Sequence, residues 1–228
     1  MWPIVQLGEL CENILSGGTP STESPEFWDN EIPWLSSADI LNHKHYIIRK
    51  GVSKLWKPNI LPKNNILVVT RVGLGKVIIN NEDVCFSQDL QGLVLKSAIV
   101  DRNYLLYALL NKLTIFKQIS RGATIKGVTR NDLISLKIPL PPLSIQQQIA
   151  DTLDKADALR RKDQELLDKY DELAQTVFYE MFGDPVNNTK NWKVGNLVDT
   201  VQIKGGGTPK TSEDRYYGGS IPWISPKD

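Results

Sequence analysis

The feature that most constrains this chain of 228 residues is an internal repeat of very long period. The motif Gly-Gly-Thr-Pro at 17–20 recurs at 206–209, and Ile-Pro-Trp at 32–34 recurs at 221–223, so both motifs repeat at an offset of 189 residues. Stacked solenoid repeats have periods of roughly 20 to 50 residues, which is far shorter. The sequence therefore predicts one whole domain followed by the beginning of a second copy of it.

Between the two copies the hydrophobic pattern predicts a β-rich domain and then one long helix. Residues 65–79 and 85–95 contain short β-branched runs separated by Gly or Asn, a pattern typical of strands joined by tight turns. Residues 102–120 have apolar side chains at helical spacing. Three prolines within 139–142 end the domain, because they can continue neither a helix nor a central strand. The expected fold class is α+β, with a β-rich core.

The segment from Ser144 to about Met181 contains no Gly or Pro and has the pattern of a coiled-coil helix. We expect Ser144 to cap its N-terminus, and Gly183 followed by Pro185 to end it. About 38 residues predict a helix of about 57 Å, which favours a spacer over the alternative of an ordinary core helix. The predicted coiled-coil seam consists of Ile149, Ala156, Leu159, Leu166, Tyr170, Leu173 and Val177.

The net charge of +1 hides a strongly uneven distribution of charge. Residues 1–39 carry seven acidic side chains and no Lys or Arg, whereas residues 40–81 carry eight basic side chains and no acid. Residues 102–141 carry seven more basic side chains and a single acid, Asp132. Because clustered Lys and Arg bind the phosphates of duplex DNA, these segments predict a DNA-binding surface, with a solvated basic face as the alternative.

Reading bases requires side chains of a different kind from those that bind phosphates. Arg recognises guanine, Asn or Gln recognises adenine, and Asp or Glu recognises cytosine. Side chains with this chemistry stand near glycine-containing turns at Arg71, Gln88, Asp89, Gln91 and Arg130. The full set of candidate DNA-binding residues is Lys44, His45, Arg49, Lys50, Lys54, Lys57, Arg71, Lys76, Gln88, Asp89, Arg121, Lys126 and Arg130.

We expect no catalytic residue, no bound cofactor and no metal site in this chain. It has neither the glycine-rich cofactor loop nor the Asn/Asp-Pro-Pro-aromatic string of an adenine methyltransferase, and no nuclease Glu-x-Lys. His43 and His45 lack further ligands to complete a metal site, and Cys11 and Cys85 fit reduced structural thiols. With no signal peptide and no run of about 18 apolar residues, a cytoplasmic protein without a membrane span is expected.

In this combination and order, the motifs resemble those of the specificity subunit (HsdS) of type I restriction-modification systems. The resemblance covers the whole chain. It is carried by Gly17–Pro20 with Ile32-Pro33-Trp34, by Thr70-Arg71 with Gly75-Lys76, by Ser87-Gln88, by Ile138–Leu143 with Gln146-Gln147 and Ile149, and by Phe178–Pro185. Where that family commonly has Glu-Gln after Pro-Pro-Leu, this chain has Ile145-Gln146, a difference that concerns helix capping.

The resemblance implies a non-catalytic subunit that directs adenine methylation and DNA cleavage by its partners. It implies a target recognition domain at 1–141 that reads half of a bipartite site in double-stranded DNA, a spacer helix at 142–183, and an incomplete second recognition domain at 184–228. The implied partners are two methyltransferase (M) subunits, which use S-adenosylmethionine, and a restriction (R) motor-nuclease subunit, which uses ATP and Mg²⁺. The cofactors are therefore expected on the partners only.

The incomplete second copy leaves several alternatives open. The chain is expected to be a fragment, an interrupted gene product or a half-size subunit. As a half-size subunit it would pair with a second copy through the seam, antiparallel, and read a palindromic split site. Alternatives from other classes are the detached recognition domain of a fused methyltransferase-nuclease, a coiled-coil interaction protein without DNA activity, and an inactive remnant of the family.

Overall fold

The computed structural model describes residues 2–119 and 128–224 of the chain. The strands are β1 (Ile4–Gln6), β2 (Cys11–Ser16), β3 (Ile32–Leu35), β4 (Lys50–Val52), β5 (Ile66–Val69), β6 (Val77–Ile79), β7 (Cys85–Phe86), β8 (Leu90–Leu95) and β9 (Lys137–Pro139). The helices are α1 (Arg102–Ile119), α2 (Arg130–Ile134), α3 (Leu143–Phe182) and α4 (Leu197–Thr200). Short 3₁₀ helices lie at Leu7–Leu10, Pro25–Phe27, Lys54–Trp56 and Asp214–Tyr216. The predicted α+β class is confirmed, and β5 to β8 and α1 lie where the hydrophobic pattern predicted them.

The core is built around a four-stranded antiparallel sheet with the strand order β2-β8-β5-β6. All four residues of β5 are buried, so both faces of this sheet are covered. Ile66 and Val68 belong to an apolar cluster that includes residues of α1. Leu67 and Val69 belong to a second cluster together with Phe86. Because successive side chains of a strand point to opposite faces, the sheet separates these two clusters.

Two smaller sheets complete the domain. Strand β3 pairs antiparallel with β4 and parallel with β7. Strand β1 pairs antiparallel with β9, with Ile4 opposite Pro139. The Leu140 amide donates a hydrogen bond to the Pro3 carbonyl oxygen at 2.8 Å. The first and last strands of the domain therefore pair with each other immediately before the long helix begins.

Both cysteines are buried within the domain. Cys11 and Cys85 are free thiols, so neither takes part in a disulfide bond. Burial raises the pKa of each thiol to about 12. Both therefore stay protonated at neutral pH, in agreement with the predicted role as structural side chains.

Helix α3 spans Leu143–Phe182, 40 residues or about 60 Å at the usual helical rise. The prediction that Ser144 caps it is wrong, because the Gln146 amide donates to the Pro142 carbonyl oxygen at 3.0 Å and the helix already contains Ser144. Gly183 follows the last helical residue with a φ of 76°. This left-handed conformation favours glycine, so the predicted end of the helix is confirmed.

The first turns of α3 are held in the domain by Gln146, whose side chain is fully buried. Its Oε1 accepts a hydrogen bond from the Asp101 amide at 2.8 Å. Its Nε2 donates to the carbonyl oxygens of Ile99 at 3.0 Å and Pro141 at 2.8 Å. Ile149 packs against the same core cluster. Although Ile149 was predicted on the coiled-coil seam, the structure uses it to attach the helix to the domain.

By their internal contacts the residues form two compact units, 1–165 and 166–228. The first unit contains the three sheets, α1, α2 and the first part of α3. The second contains the remainder of α3, the short helix α4 and the 3₁₀ helix Asp214–Tyr216. None of the helices that the structure describes is both long and apolar enough to cross a membrane.

The two copies of the sequence repeat share a specific contact. In the first copy, Trp34 Nε1 donates a hydrogen bond to the Gly18 carbonyl oxygen at 3.0 Å. In the second copy, Trp223 Nε1 donates to the Gly207 carbonyl oxygen at 3.3 Å. The offset of 189 residues relates both partners of this pair. The motifs Gly-Gly-Thr-Pro and Ile-Pro-Trp therefore contact each other in each copy.

Candidate DNA interface

Four segments meet at one end of the four-stranded sheet. Because the strands are antiparallel, the C-terminal ends of β2 and β5 lie at the same end as the N-terminal ends of β6 and β8. The four segments are residues 16–20, 54–59, 70–76 and 86–91. Each of them is hydrogen-bonded to at least one of the others through the contacts described below, and we call them together the loop surface.

The glycine-rich turn after β2 is held by close backbone packing. A Cβ atom on Gly17 would lie 2.2 Å from the Ser87 carbonyl oxygen, so this position admits only glycine. The Gly18 amide donates to the Phe86 carbonyl oxygen at 2.8 Å, and Trp34 donates to the Gly18 carbonyl oxygen. The Gly-Gly-Thr-Pro motif is therefore a structural element that holds the loop surface together.

Exposed polar side chains connect three of the segments. Thr19 Oγ1 donates a hydrogen bond to Gln88 Oε1 at 2.5 Å, and Ser16 Oγ donates to Gln91 Oε1 at 3.3 Å. Asn59 Nδ2 donates to the Ser16 carbonyl oxygen at 3.0 Å. The Nε2 atom of Gln88 has no hydrogen-bond partner among the residues that the structure describes. The amide of Gln88 can therefore still donate to and accept from the edge of an adenine.

The hairpin between β5 and β6 presents Arg71 and Val72 at its tip. Arg71 is exposed and forms no ion pair within the described ranges, and Val72 is 72% exposed. Gly73 has a φ of 85°, which allows the chain to turn directly after them. Thr70 donates from both its amide and its Oγ1 to the Asp89 carbonyl oxygen, at 2.8 and 3.1 Å. This pairing places Arg71 beside the turn that carries the predicted base-reading residues.

Two lysines that follow β4 belong to the loop surface. Lys54 and Lys57 are exposed and form no salt bridge in the part of the chain that the structure describes. Lys50 Nζ lies 5.1 Å from the centre of the Trp28 ring. Glu31 Oε2 accepts a hydrogen bond from the Lys54 amide at 2.8 Å, and this bond lowers the pKa of the Glu31 carboxyl. Glu31, which belongs to the acidic segment 1–39, therefore contacts the basic segment 40–81.

Two predicted DNA-binding side chains are bonded to the backbone of the domain. Lys76 Nζ donates to the carbonyl oxygens of Ser37 at 3.1 Å and Ile40 at 2.8 Å. Arg130 Nη2 donates to the Ile14 carbonyl oxygen at 2.7 Å. These donors are already used within the domain. We therefore assign Lys76 and Arg130 to holding the loops in place.

Three further candidates lie outside the four segments of the loop surface and have partners of their own. Arg49 Nη1 is 3.2 Å from Asp39 Oδ1. His45 is exposed, with Nδ1 3.2 Å from Asn42 Oδ1. Lys44 forms an ion pair with an aspartate of α3. The structure thus divides the candidates into free residues of the loop surface and residues that stabilise the fold.

Some residues of the loop surface were missed by reasoning from the sequence, and two candidates are not described. Arg121 and Lys126 lie outside the described residues. Thr19 and Asn59 were missed, although the place of Thr19 in the repeated motif was a signal. Leu55 is 72% exposed between basic residues, and no pattern indicated it because isolated apolar side chains are common on surfaces.

The described residues contain no group of three or more His, Cys, Asp or Glu side chains that could hold a metal ion. His45 is exposed. His43 is half-buried, and its Nε2 lies 3.2 Å from Asp157 Oδ2. The arrangement of Arg, Gln and Lys side chains on the loop surface is suited to contacts with bases and phosphates.

Comparison with known proteins identifies related chains. The type I restriction enzyme MjaIX specificity subunit of Methanocaldococcus jannaschii is 27% identical to this chain, over 99% of this chain and 57% of the relative. The crystal structure of the HsdS subunit from Thermoanaerobacter tengcongensis is similar over 80% of this chain and 45% of that one, with a TM-score of 0.57 and 25% identity. The chain spans about half the length of the curated relatives it matches.

A second solved structure, described as the basis of complex assembly and conformational transition of the type I R-M system, has a TM-score of 0.64. It is 25% identical to this chain and covers 77% of it, against 44% of its own length. Residues 1–168 match the family described as "Type I restriction modification DNA specificity domain". That match covers most of the 228 residues and includes the whole loop surface and the start of α3. The chain therefore belongs to the type I restriction-modification DNA specificity family.

Proposed function

We propose that this chain is a non-catalytic, DNA-reading component of a type I restriction-modification complex, acting in the cytoplasm. In this proposal residues 1–141 are a target recognition domain that binds one half of a bipartite site in double-stranded DNA. The observation that carries the proposal is the loop surface, where Arg71 and Gln88 lie on adjacent turns with exposed lysines at the border. Family membership supports the same function.

In this proposal the loop surface makes two kinds of contact with DNA, to backbone phosphates and to the edges of bases. Lys54 and Lys57 neutralise backbone phosphates, which supplies affinity that depends strongly on salt. Arg71 offers the paired donors that recognise guanine, and Gln88 offers the donor and acceptor that recognise adenine. Val72 provides an exposed apolar contact suited to the methyl group of thymine. Hydrogen bonds within the loop surface hold the backbones of its segments and the Gln88 side chain in place before DNA binds.

The proposal assigns residues 142–183 to a spacer and residues 184–228 to the beginning of a second recognition domain. Helix α3 has 40 residues, or about 60 Å, which corresponds to at most about 18 base pairs. A spacer of this length fits half-sites that are separated by one helical turn of DNA or somewhat more. The helix would then determine the distance between two readers.

The seam of α3 is proposed to pair with the same helix of a second copy of this chain. Leu159, Leu166, Tyr170, Leu173 and Val177 are all exposed large apolar side chains. Their positions repeat every seven residues in two interleaved rows, which is the pattern that buries a seam between two helices. Antiparallel pairing would bring together two recognition domains about a two-fold axis and favour a palindromic split site.

The oligomeric state tests this pairing directly. Light scattering at micromolar concentration should give the mass of a dimer, and Leu166→Asp with Leu173→Asp should give the mass of a monomer. Gln175→Asp is the matched control, because Gln175 is exposed on the same helix but lies off the seam. A monomer in the parent chain, or a dimer in the double variant, would contradict pairing through this seam.

The remaining partners are proposed from the family. Two M subunits would use S-adenosylmethionine to methylate adenine in the site that this chain selects. An R subunit would use ATP and Mg²⁺ to translocate and cleave DNA. This chain supplies sequence selection to both reactions, and the cofactors bind to the partners.

DNA recognition is tested in two steps. Mapping N6-methyladenine in cells that express the chain with its M subunits gives the target, and fluorescence anisotropy of the purified complex then measures affinity for that duplex. Gln88→Ala and Arg71→Ala should each reduce discrimination against the wrong base by about 1–3 kcal/mol. Lys63→Ala is the control, because Lys63 is exposed at the opposite end of β5. Equal effects of all three substitutions would contradict base reading by the loop surface.

A further inference from the structure

A tight loop between β3 and β4 projects two side chains toward α3. It is closed at its base by an isolated antiparallel bridge between Ile40 and Tyr46. Asn42 Oδ1 accepts hydrogen bonds from the amides of Lys44 and His45 at 2.8 and 3.0 Å. The Asn42 amide donates to the His45 carbonyl oxygen at 3.2 Å. These bonds give the loop a defined shape without help from the helix.

The same loop is tied to the central sheet. Lys76, directly before β6, donates from Nζ to the Ile40 carbonyl oxygen at 2.8 Å. The Asn81 amide, just after β6, donates to the Tyr46 hydroxyl at 3.1 Å. Tyr46 in turn donates from its hydroxyl to Asn81 Oδ1. The loop is therefore attached to the sheet whose end forms the loop surface.

Five side chains join this loop and α1 to α3, and we call them the latch. His43 Nε2 lies 3.2 Å from Asp157 Oδ2. Lys44 Nζ donates to Asp154 Oδ1, and the Tyr107 hydroxyl of α1 donates to the same oxygen at 2.7 Å. The Lys44 ammonium also lies 5.6 Å from the centre of the Tyr107 ring. The side chain of Asp157 is only 9% exposed, and those of Lys44 and Asp154 are 26% and 32% exposed, so the latch is partly shielded from water.

The two aspartates of the latch are held in their ionised form. Burial acts to raise the pKa of Asp154, but hydrogen bonds from Lys44 and Tyr107 outweigh it and the pKa is lowered. Burial also acts to raise the pKa of Asp157, and the Arg160 hydrogen bond is the largest opposing effect that lowers it. Partly buried, hydrogen-bonded ion pairs fix orientation more strictly than exposed pairs do. The latch therefore prefers one position of the helix.

The latch is the second of two attachments of α3 to the domain. Gln146 is the first, and the aspartates follow it by 8 and 11 residues, or about 12 to 16 Å along the helix. A rod attached at one point can pivot, whereas a rod attached at two separated points has a fixed direction. The apolar contacts around Gln146 would still allow tilting, because apolar packing has little directional preference.

We propose that the latch is a positioning device that fixes the direction of residues 143–165 relative to the loop surface, and thereby determines which half-site spacing is accepted. This inference rests on the proposed function, because a spacing has meaning only if α3 separates two readers. A helix continuing 25 residues beyond Asp157 is about 37 Å long. A tilt of about 10° would displace its end by about 6 Å, nearly two base pairs.

The direction of the helix can be measured without DNA. Spin labels on the full chain at Lys63→Cys and Lys162→Cys, both exposed positions, report one distance by pulsed dipolar spectroscopy. The native thiols are buried and remain unlabelled. The distribution of this distance should broaden in Lys44→Ala. It should stay narrow in Lys44→Arg, which keeps the charge, and in the control Asp151→Asn, an exposed acid of the same helix.

The acceptance of spacings is measured on the assembled complex. The mapped target is compared with duplexes whose half-sites are moved apart or together by one or two base pairs. Lys44→Ala should bind the original spacing several-fold more weakly and lose most of the preference over the shifted duplexes, and Lys44→Arg should retain that preference. If Lys44→Ala leaves the width of the spin-label distance distribution or the spacing preference unchanged, the proposed role of the latch is refuted. A parent complex that binds no target at any spacing refutes the proposed function and the spacing role with it.

Discussion

Replacing Gln146 with alanine should release the first turns of α3 from the domain. The substitution removes three hydrogen bonds, which join this side chain to the Asp101 amide and to the carbonyl oxygens of Ile99 and Pro141. Gln146 is fully buried, and its hydrogen bond to the Pro141 carbonyl oxygen is buried, whereas the other two are partly buried. Each buried backbone group that loses its partner costs about 1–3 kcal/mol.

Partial relaxation of the helix would recover some of this loss. We therefore expect the free energy of unfolding to fall by about 3 kcal/mol in Gln146→Ala, a large part of the 5–15 kcal/mol that is typical of a domain. For a chain of this size the midpoint of thermal unfolding should fall by about 6–12 °C. Urea denaturation followed by tryptophan fluorescence and by circular dichroism measures the same free energy independently.

Two further variants isolate the hydrogen bonds. Gln147→Ala removes the same type of side chain at the next, exposed position and should change the free energy of unfolding by less than about 0.5 kcal/mol. Gln146→Leu restores most of the apolar volume but none of the hydrogen bonds, so it should remain destabilised. A full recovery of stability in Gln146→Leu, or a loss below about 1 kcal/mol in Gln146→Ala, would refute the anchoring role.

Three other variants test the fold, the interface and the latch. Gly17→Ala should lower the free energy of unfolding by about 1–3 kcal/mol in urea denaturation, because its Cβ would lie 2.2 Å from a backbone oxygen, whereas Gly195→Ala meets nothing within 4 Å and should not. Lys54→Glu with Lys57→Glu should abolish duplex binding, measured by anisotropy, because it replaces two phosphate-neutralising charges with two that repel the phosphates. Burial lowers the pKa of His43 in the folded chain, although Asp157 opposes this effect. The folded state therefore favours the neutral ring, and this contribution to stability is present above the pKa of about 6.5 in the unfolded chain and is lost as the pH falls below it. The parent chain should therefore lose more stability than His43→Gln between about pH 7.5 and about pH 5.5.

The parts of the fold that the sequence predicted are those that depend on local patterns. Strand β5 is apolar at every position and bounded by polar turns, so its burial on both faces follows from four consecutive residues. The end of α3 was predictable because Gly183 is one of few residues that accept a φ of 76°. Its beginning was not, since Ser144 has the chemistry of a cap in any context and only the backbone of Pro142 shows that the helix starts earlier.

The candidate interface was predictable as a charge pattern but not as a list of contacts. All Lys, Arg, Asp and Glu residues within 40–81 are basic, yet their side chains have different surroundings. Lys57 is exposed on the loop surface, Lys76 bonds backbone oxygens and Lys44 pairs with Asp154. The partners of Lys44 lie 63 and 110 residues further along the chain. The sequence shows that a side chain is positively charged. The direction in which it points depends on the turn that carries it and on the residues that the fold places near it.

The repeat combines two requirements of different range. Trp34 and Gly18 are 16 residues apart, and Trp223 and Gly207 form the same bond at the same separation, so this contact is local and forms in both copies. The need for glycine at Gly17 comes instead from the Ser87 backbone, 70 residues away. A Cβ on Gly206, its counterpart, would meet nothing within 4 Å. The second copy therefore contains Gly206 although no described atom lies close enough to require a glycine there. The contact between the two motifs depends only on nearby residues, so it forms in both copies.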